Sequence, residues 1–483
     1  MKNIQYVLLG LLLTTLSCND FLEENPRSQL TREQFYNNEP DFRVALTSTY
    51  RPLQLMYNND IGMLTSVDTD EATVGNFPGG EGDDFQDHVY GPGSNTLNNW
   101  WVRNYNGINQ ANAIITQADQ VNLPSDDQEL VDRYATEAKF LRALYYFNLV
   151  LAFGDVPLNL EPTTSLNGLL LNRTDQATVY VQIEQDLQDA EAALPVSYEN
   201  DEIGRVTSGA ASAILAKVYL HQNKFQEARD KAQEVINSGE YGLFEDYLDV
   251  LSVAAKNGIE HIFSVQYARG LTESSMGRLY GFLTRSAPLE EEVPAEVRGQ
   301  SAWAAEQGFF DAFPEGYRKE VSLVPRVVTG ADTLPLDANF PHTRKYFDAT
   351  KIDADGDNNA NNYNIIRYAD ILLIFAEAEN EISGPTAAAY DAINQIRRRA
   401  QQQDISTPDP TIDLAGLSAD EFRDAVIEER RWELAYEGHR RWDLVRTGKY
   451  LAAVPSATAR NVLFPIPQRE IDLNSSLRQN DGY

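Results

Sequence analysis

Residues 212–236 read SAILAKVYLHQNKFQEARDKAQEVI, and their spacing predicts two helices joined by a short turn. Apolar residues recur every three or four positions on both sides of the turn, which is the period of a buried helix face. Small residues allow two helices to approach closely, and aromatic residues fill the space that remains. The residues at these spaced positions are Ala216, Tyr219, Asn223, Phe225, Ala228 and Ala232.

This spacing is the signature of a tetratricopeptide helix hairpin, and weaker variants of it occupy residues 135–152 and 368–399. Helical periodicity also extends over much of the chain. We therefore predict a mostly α fold, with a tetratricopeptide-like scaffold of helical hairpins and long irregular loops. The predicted helices are 39–50, 97–119, 127–153, 175–194, 208–221, 224–238, 364–383, 386–402, 418–437 and 440–447.

Two segments lack this periodicity and are rich in Gly, Pro, Asn and Asp. Within the first, GNFPGGEGDDF at 75–85 and VYGPGSN at 89–95 are predicted not to form regular helix. Loops this long in a compact domain usually carry function, so we expect them to form the ligand face. The expected organisation is a single domain over 18–483, with its scaffold at 39–240 and 364–450 and its loop-rich ligand lobe at 60–96 and 255–360.

The N-terminus, MKNIQYVLLGLLLTTLSC, predicts export and a lipid anchor. Lys2 precedes an apolar run that is too short for a membrane-spanning helix, so residues 1–17 are interpreted as a signal peptide. Cys18 follows at once, is the only cysteine of the chain, and resembles the lipidation site of bacterial lipoproteins. Acyl chains such as palmitate on Cys18 would hold the protein stably on a membrane. The alternative is an ordinary signal peptide with an incidental cysteine.

The segment ERRWELAYEGHRRWDLVRTGKY, residues 429–450, is dense in Arg and Trp and looks like a working site. The formal net charge of −32 argues against nucleic acid as a partner, because both molecules are acidic. Arg430 with Glu433 and Glu437 with Arg441 stand at helical spacings that predict local ion pairs. Gly438 is expected to end the first helix. We therefore interpret the segment as scaffold, with direct ligand contact as the alternative.

Catalytic and metal-binding motifs give little support to an enzyme. The zinc-protease HExxH, the hydrolase GxSxG and the phosphate-loop motifs are absent from the sequence, and no two of its five histidines stand at metal-ligand spacing. No cofactor is expected. Carboxylates are so numerous that a glycosidase pair stays open. Calcium at Asp353, Asp355 and Asp357 is an alternative to a solvated turn, but asparagines replace the glycine and glutamate of an EF-hand loop.

The expected ligand contacts lie in the irregular segments. Aromatic rings stack on the C–H faces of sugars, and carboxylates or guanidinium groups hydrogen-bond to their hydroxyls. The alternative is that each ring fills a local core and each acid caps a turn. The candidates are Trp303, Phe77 and Tyr90 for stacking, and Asp68, Asp70 and Arg344 for hydrogen bonds.

Several stretches, taken in order, resemble the SusD/RagB family of nutrient-uptake outer-membrane lipoproteins. No single motif decides, but the resemblance runs from end to end. The stretches are CNDFLEENP (18–26), EAKFLRALYYFNLVLAFGDVPL (137–158), AFPEGYRKE (312–320), NIIRYADILLIFAEAENE (364–381), INQIRRRA (393–400), segment 429–450, FPIPQREIDLN (464–474) and QNDGY (479–483).

The resemblance implies a lipoprotein exposed on the Gram-negative outer membrane and anchored through Cys18. Such proteins bind a glycan without cleaving it and close over a partner, a SusC-type TonB-dependent transporter. Their ligand face is built from variable loops, so no ligand residue carries over to this chain. Three alternatives remain: a peptide-binding member of the same family, a secreted glycoside hydrolase, and a helical scaffold that binds only protein.

Overall fold

The computed structural model describes residues 35–74, 80–165, 170–268, 303–324, 326–329, 332–335, 342–343, 345–346 and 360–483. Helices dominate these residues, which confirms the predicted fold class. The helices of the N-terminal half are α1 (Glu39–Leu55), α2 (Glu81–Gln86), α3 (Asn95–Ala118), α4 (Ser125–Phe153), α5 (Gln176–Ala193), α6 (Ser208–His221) and α7 (Phe225–Ser238).

The later helices are shorter on average and include the region of segment 429–450. They are α8 (Gln307–Ala312), α9 (Tyr317–Ser322), α10 (Tyr368–Ser383), α11 (Ala387–Ala400), α12 (Ala419–Glu433), α13 (Arg440–Arg446), α14 (Tyr450–Ala453) and α15 (Gln468–Leu473). Two π-helical turns extend α1, at Met56–Asp60 and Met63–Val67.

The strands form four two-stranded antiparallel ladders in the described residues. β1 pairs with β3, β2 with β8, β4 with β7 and β5 with β6. The strands are β1 (Ala72–Val74), β2 (His261–Val265), β3 (Trp303–Ala305), β4 (Leu323–Val324), β5 (Arg326–Thr329), β6 (Asp332–Pro335), β7 (His342–Thr343) and β8 (Tyr363–Arg367).

Local sequence signals set many helix ends. Serine, threonine or aspartate side chains cap α3, α5, α6 and α11. Ser418 and Glu421 form a reciprocal capping box at the start of α12. Gly239, with φ of +70°, ends α7 in the left-handed conformation that favours glycine.

The hairpin at 212–236 forms as its spacing predicts. Ala216 of α6 and Ala228 and Ala232 of α7 are completely buried where the two helices pack together, and α10 packs against α7 on its other side. Helices α3 to α7 follow one another as packed neighbours. One hydrophobic cluster joins these helices to α10–α12 and to Phe464 near the C-terminus.

Several sequence-based predictions of helices are wrong in detail. The helix predicted from 364 starts at Tyr368, because residues 363–367 pair with β2 as strand β8. The helix predicted to reach 437 ends at Glu433, and Tyr436 turns the chain with φ of +62° before Gly438 does the same at +78°. The stretch EGDDFQ, predicted to be irregular, forms α2 around the buried ring of Phe85.

Candidate functional site

Asp70, a predicted sugar acceptor, instead binds two arginines of segment 429–450. Its two carboxylate oxygens each accept a hydrogen bond of 2.8 Å from Arg440. The Nη2 atom of Arg431 lies 2.8 Å from Oδ2 of Asp70, which is also one of the two atoms that Arg440 binds. A bidentate pair of this kind fixes both partners. Asp70 therefore joins the loop after the π-helical turn to the scaffold and is not free to bind a ligand in this arrangement.

Asp68, the second predicted acceptor, is completely buried. It forms an ion pair with Arg441, and its Oδ2 accepts a hydrogen bond of 2.6 Å from the hydroxyl of Tyr450. The guanidinium of Arg441 also lies 3.9 Å from the ring centroid of Phe464. The carboxylate of Asp68 thus compensates a buried arginine, and a ligand does not reach it.

Glu71 also contacts segment 429–450, and the pKa of its carboxyl is unusual. Its Oε2 atom accepts hydrogen bonds of 3.2 Å from Ser66 and 3.3 Å from the backbone N–H of Tyr436. The hydroxyl of Tyr436 donates to the Glu71 carbonyl oxygen. Burial raises the pKa of the Glu71 carboxyl to about 8, although Arg440 acts in the opposite direction. The carboxyl is therefore mostly protonated at neutral pH.

Trp303 and Tyr90 are core residues in this structure. Trp303 is 5% exposed, and its indole lies so close to Gly62 that a Cβ atom there would overlap the ring. Tyr90 is 2% exposed and packs between the rings of Phe85 and Phe464, with centroids 4.9 and 5.3 Å away. Neither ring is available to stack on a sugar in this conformation, which agrees with the alternative that each ring fills a local core.

The other candidates lie outside the described residues. They are Phe77, Arg344, the calcium candidates Asp353, Asp355 and Asp357, and the lipidation candidate Cys18. Across the part of the chain that the structure describes, His, Cys, Asp and Glu side chains form no group of three suited to a metal ion. The search for a membrane-crossing helix over the same residues finds none that is both long and apolar enough.

A buried set of charged side chains, here called the central charge cluster, explains why segment 429–450 is so rich in charge. Arg367 bridges three acids, with hydrogen bonds of 2.6 Å to Glu260, 2.6 Å to Glu433 and 2.7 Å to Glu437. Each of these groups is nearly or fully buried, so each depends on an opposite charge. The cluster comprises Arg318, Lys345, Arg367, Arg399, Glu260, Glu429, Glu433 and Glu437.

The electrostatics of the cluster follow from this pairing. Burial on its own raises the pKa of the Glu437 carboxyl, but Arg367 and Lys345 outweigh burial and lower it to about 2. The pKa of Glu433 is lowered in the same way, because Arg399 and Arg367 outweigh its burial. Glu433 and Glu437 therefore stay ionised throughout the physiological range.

A second buried cluster lies on the other side of α12 and α13. Asp370 accepts a hydrogen bond of 2.7 Å from Arg430, which also donates to Asp443 at 2.8 Å. Lys217 donates to Nδ1 of His439 over 2.8 Å. Burial and the neighbouring Lys217 lower the pKa of His439 to about 3, so its ring is neutral and can accept this bond.

The two local ion pairs predicted for segment 429–450 do not form. Arg430 reaches Asp370 and Asp443 rather than Glu433, and Arg441 reaches Asp68 rather than Glu437. These side chains point inward toward distant elements, where a buried partner replaces the local one. The interpretation of the segment as scaffold agrees with this burial.

The ladder of β1 and β3 adjoins two segments of the chain that the structure does not describe. Val74 and Trp303 are partners in register, residues 75–79 follow Val74, and 269–302 precede Trp303. β7, which is followed by Arg344, contacts β3. Trp303 thus begins β3, while Phe77 and Arg344 follow its neighbours β1 and β7 in the sequence. We call strands β1, β3 and β7, with the residues next to them in the sequence, the loop-bearing edge.

An open cleft of about 320 Å³, here called the tyrosine cleft, lies between residues 196–207, 240–241 and 257–264. Tyr198 and Tyr241 form part of its wall, and their hydroxyls bind Glu137 and Thr207 respectively. Fixed aromatic rings with a few polar groups in a cleft are typical of ligand sites. Sequence reasoning missed both tyrosines, because Tyr198 lies between α5 and α6, Tyr241 lies after α7, and no periodic pattern distinguishes either residue.

Comparison with known families gives two matches, which lie on either side of residues 221–328. The model of the SusD family matches residues 329–483. A second model, described as starch-binding associating with outer membrane, matches residues 20–220.

Comparison with individual proteins gives matches over nearly the whole chain. SusD-like protein P25 of Formosa agariphila is 29% identical and aligns with 99% of this chain and 98% of its own. The crystal structure of a SusD homologue from Bacteroides thetaiotaomicron is 24% identical, has a TM-score of 0.83, and covers 95% of this chain and 99% of that chain. A structure described as a laminarin-binding SusD-like protein is 28% identical, has a TM-score of 0.76, and covers 93% of this chain and all of that chain.

Proposed function

Because this chain belongs to the SusD family, we propose that it binds an oligosaccharide or polysaccharide at the cell surface and passes it on for uptake. The observation that carries the proposal is the match to a laminarin-binding SusD-like protein, which extends over 93% of this chain. A second model that matches the N-terminal part describes starch binding in association with the outer membrane. Both descriptions concern glycans, and neither describes peptides.

The ligand face that we propose is the loop-bearing edge. Phe77 follows β1, Arg344 follows β7, and both strands contact β3. Sequence that follows a strand ladder can vary while the scaffold is kept, which suits a family whose members bind different ligands. Phe77 would stack on a sugar ring and Arg344 would donate hydrogen bonds. The tyrosine cleft is the second place where a sugar could contact fixed rings.

The proposed role is binding without catalysis. A glycoside hydrolase needs two carboxyl groups that face the same ligand. The described acids with the strongest electrostatic perturbation, such as Asp370, Glu433 and Asp443, are buried and paired with arginines. Carboxylates that are buried and paired in this way cannot act as the acid or the base of a hydrolase. This favours a binding protein over an enzyme.

The proposed location is the outer surface of the outer membrane, with acyl chains on Cys18 as the anchor. A SusC-type TonB-dependent transporter is the proposed partner, because family members pair with such a barrel. We expect Cys18→Ala to move the protein from the outer-membrane fraction to the soluble fraction. Retention of the Cys18→Ala protein in the membrane would contradict the anchor, and Ser17→Ala serves as the matched control.

Native gel electrophoresis in gels that contain single polysaccharides tests the binding proposal. The full chain, purified in detergent, should migrate more slowly in at least one of a panel of glucans, mannans and galactans. Phe77→Ala should reduce this retardation on the order of ten-fold in apparent affinity if the loop-bearing edge is the ligand face. Val181→Ala, an exposed apolar residue of α5, is the control.

The same assay separates the alternatives. If Tyr198→Ala and not Phe77→Ala abolishes the retardation, the tyrosine cleft is the ligand site. If no polysaccharide retards the protein while immobilised peptides retain it, the protein is a peptide-binding member of the family and the glycan proposal is wrong.

A further inference from the structure

A second open cleft, here called the arginine cleft, lies at the end of α11 beside the turn at 409–412. It has a volume of about 440 Å³. Sequence reasoning did not point to it, and none of the predicted ligand residues lines it. The side chains that matter for its chemistry are Arg318, Arg397, Gln401, Gln403, Asp409 and Glu429.

Arg318 is 4% exposed, and only the two N–H groups of one of its three nitrogens donate to described residues. Its Nη1 atom donates to Glu429 over 2.7 Å and to Glu433 over 2.8 Å. Nε is buried and has no acceptor among the described residues. The hydrogen bonds of this side chain to described residues all come from Nη1, so Nη2 makes none with them. Nε and Nη2 form one edge of the planar guanidinium, with two parallel N–H groups. This edge matches the two oxygens of a carboxylate or a sulfate.

The neighbouring groups add donors and keep the acids occupied. Arg397 donates through Nε to the Ile412 carbonyl and through Nη1 to Glu429, so Nη2 is left for a ligand. Glu429 thus has one arginine on each oxygen. Asp409 accepts hydrogen bonds from the backbone N–H and the hydroxyl of Thr411 on one of its oxygens, Oδ1.

The charge of the cleft differs from that of the whole chain. Two arginines and two carboxylates line it, so its formal charges cancel. The whole chain carries −32. An anion that approaches this protein therefore meets less repulsion in the arginine cleft than over an average part of the surface. The side-chain amides of Gln401 and Gln403 add neutral hydrogen-bonding groups to the same wall.

We infer that the arginine cleft binds the anionic group of an acidic saccharide, a uronate carboxylate or a sulfate ester, on the Nε/Nη2 edge of Arg318. Arg397 and the two glutamine amides would contact the hydroxyl groups of the same sugar. This inference rests on the proposed function, which supplies the saccharide, and adds to it the acidic class of the ligand and a second place of contact.

Isothermal titration of the full chain, purified in detergent, tests the inference with matched probes. Trigalacturonate is compared with its methyl ester, which lacks the negative charges. A sulfated galactose oligosaccharide is compared with its desulfated form. Binding of an acidic probe and not of its neutral counterpart is the expected result, and the two pairs show whether the group is a carboxylate or a sulfate.

Arg318→Lys identifies the contact. Lysine keeps the positive charge beside Glu429 and Glu433 but lacks the second N–H of the edge. We expect affinity for the acidic probe to fall on the order of ten-fold, as for the loss of one hydrogen bond to a charged group. Arg397→Lys is measured as well, in case the first variant does not fold. Arg423→Lys alters an arginine of α12 that pairs with Glu381 and does not line the cleft; it is the control and should bind as the unaltered protein does.

The failures are distinguishable. If polysaccharides retard the protein in gels but no acidic probe binds, this inference is wrong and the proposed function stands. If acidic probes bind equally well to folded Arg318→Lys and Arg397→Lys, the cleft is not their site. If no saccharide of either kind binds, the proposed function fails and this inference fails with it.

Discussion

The carboxylate of Asp70 accepts two parallel hydrogen bonds of 2.8 Å from the guanidinium of Arg440. This pair joins SVDTDEATVG (66–75), which the sequence suggested for ligand binding, to segment 429–450, which it suggested as scaffold. Both stretches therefore have one structural task. They hold the base of the loop-bearing edge against the helices.

Asp70→Asn should lower stability without altering ligand binding. The substitution leaves Arg440 and Arg431 without their common anion, and breaking a partly buried pair of this kind costs about 2 kcal/mol. Urea unfolding followed by circular dichroism measures the change. Asp84→Asn, an exposed acid in α2, is the control and should be neutral. Weaker glycan binding with unchanged stability would mean that Asp70 contacts ligand after all.

Glu433→Gln should be among the most destabilising single changes in the chain. Glu433 forms ion pairs with Arg318, Arg367 and Arg399, all of them buried. Removal of its charge leaves several cations uncompensated, at an expected cost of about 3–5 kcal/mol. Glu428→Gln alters an exposed acid of the same helix and should change the free energy of unfolding by less than about 0.5 kcal/mol. Equal effects of the two changes would refute the buried cluster.

Gly62 and Trp303 should show strong coupling in a double-mutant cycle. Gly62→Ala puts a methyl group into the indole ring, so it should lower the melting temperature in the unaltered protein. Trp303→Ala removes the obstacle and, by itself, costs about 3–5 kcal/mol as a large-to-small change in a core. In that background Gly62→Ala should be neutral or stabilising. Additive effects would contradict the packing of Trp303 on the π-helical turn.

Glu71 should make stability fall as pH rises. Its folded pKa is raised from 4.5 to about 8, so between these values the folded state keeps a proton that the unfolded state has lost. Its contribution is full below pH 4.5 and disappears as pH rises through 8, with a slope of about 1.4 kcal/mol per pH unit.

Glu71→Gln removes this titration and should therefore raise the melting temperature relative to the unaltered protein most at pH 8 and least near pH 4.5. Differential scanning calorimetry between pH 4.5 and 8 measures the difference. Glu199→Gln, an exposed acid in a loop, should show no such trend. A difference for Glu71→Gln that stays constant over this range would contradict the raised pKa.

The helical part of the fold was predictable because its signal is local. The spacing of Ala216, Ala228 and Ala232 alone predicts a close contact between two helices, and all three residues are completely buried in the structure. The end of α12 was not predictable in this way. Glu433 to Gly438 continue a helical pattern, but Glu437 turns inward to Lys345 and Arg367, which lie on other elements.

The candidate site was less predictable, because a contact between distant residues leaves no periodic trace. Nothing near Asp68 in the sequence indicates that it will form an ion pair with Arg441. Arg318 stands in a stretch that resembles the family, yet its unused edge becomes visible only when Glu429 and Glu433 are in place. Trp303 and Tyr90 were predicted to contact ligand because they stand in segments without helical periodicity, but both rings are buried in cores. The sequence carries no pattern that shows whether a ring in such a segment is buried or exposed.

The most direct test of the central claim is a glycan array probed with the full chain, followed by measurement of reducing ends released from each bound glycan. The account predicts binding to at least one glycan and no increase in reducing ends over a buffer control. Release of reducing ends by the purified protein, or absence of binding to every glycan together with clear binding to peptides, would contradict it.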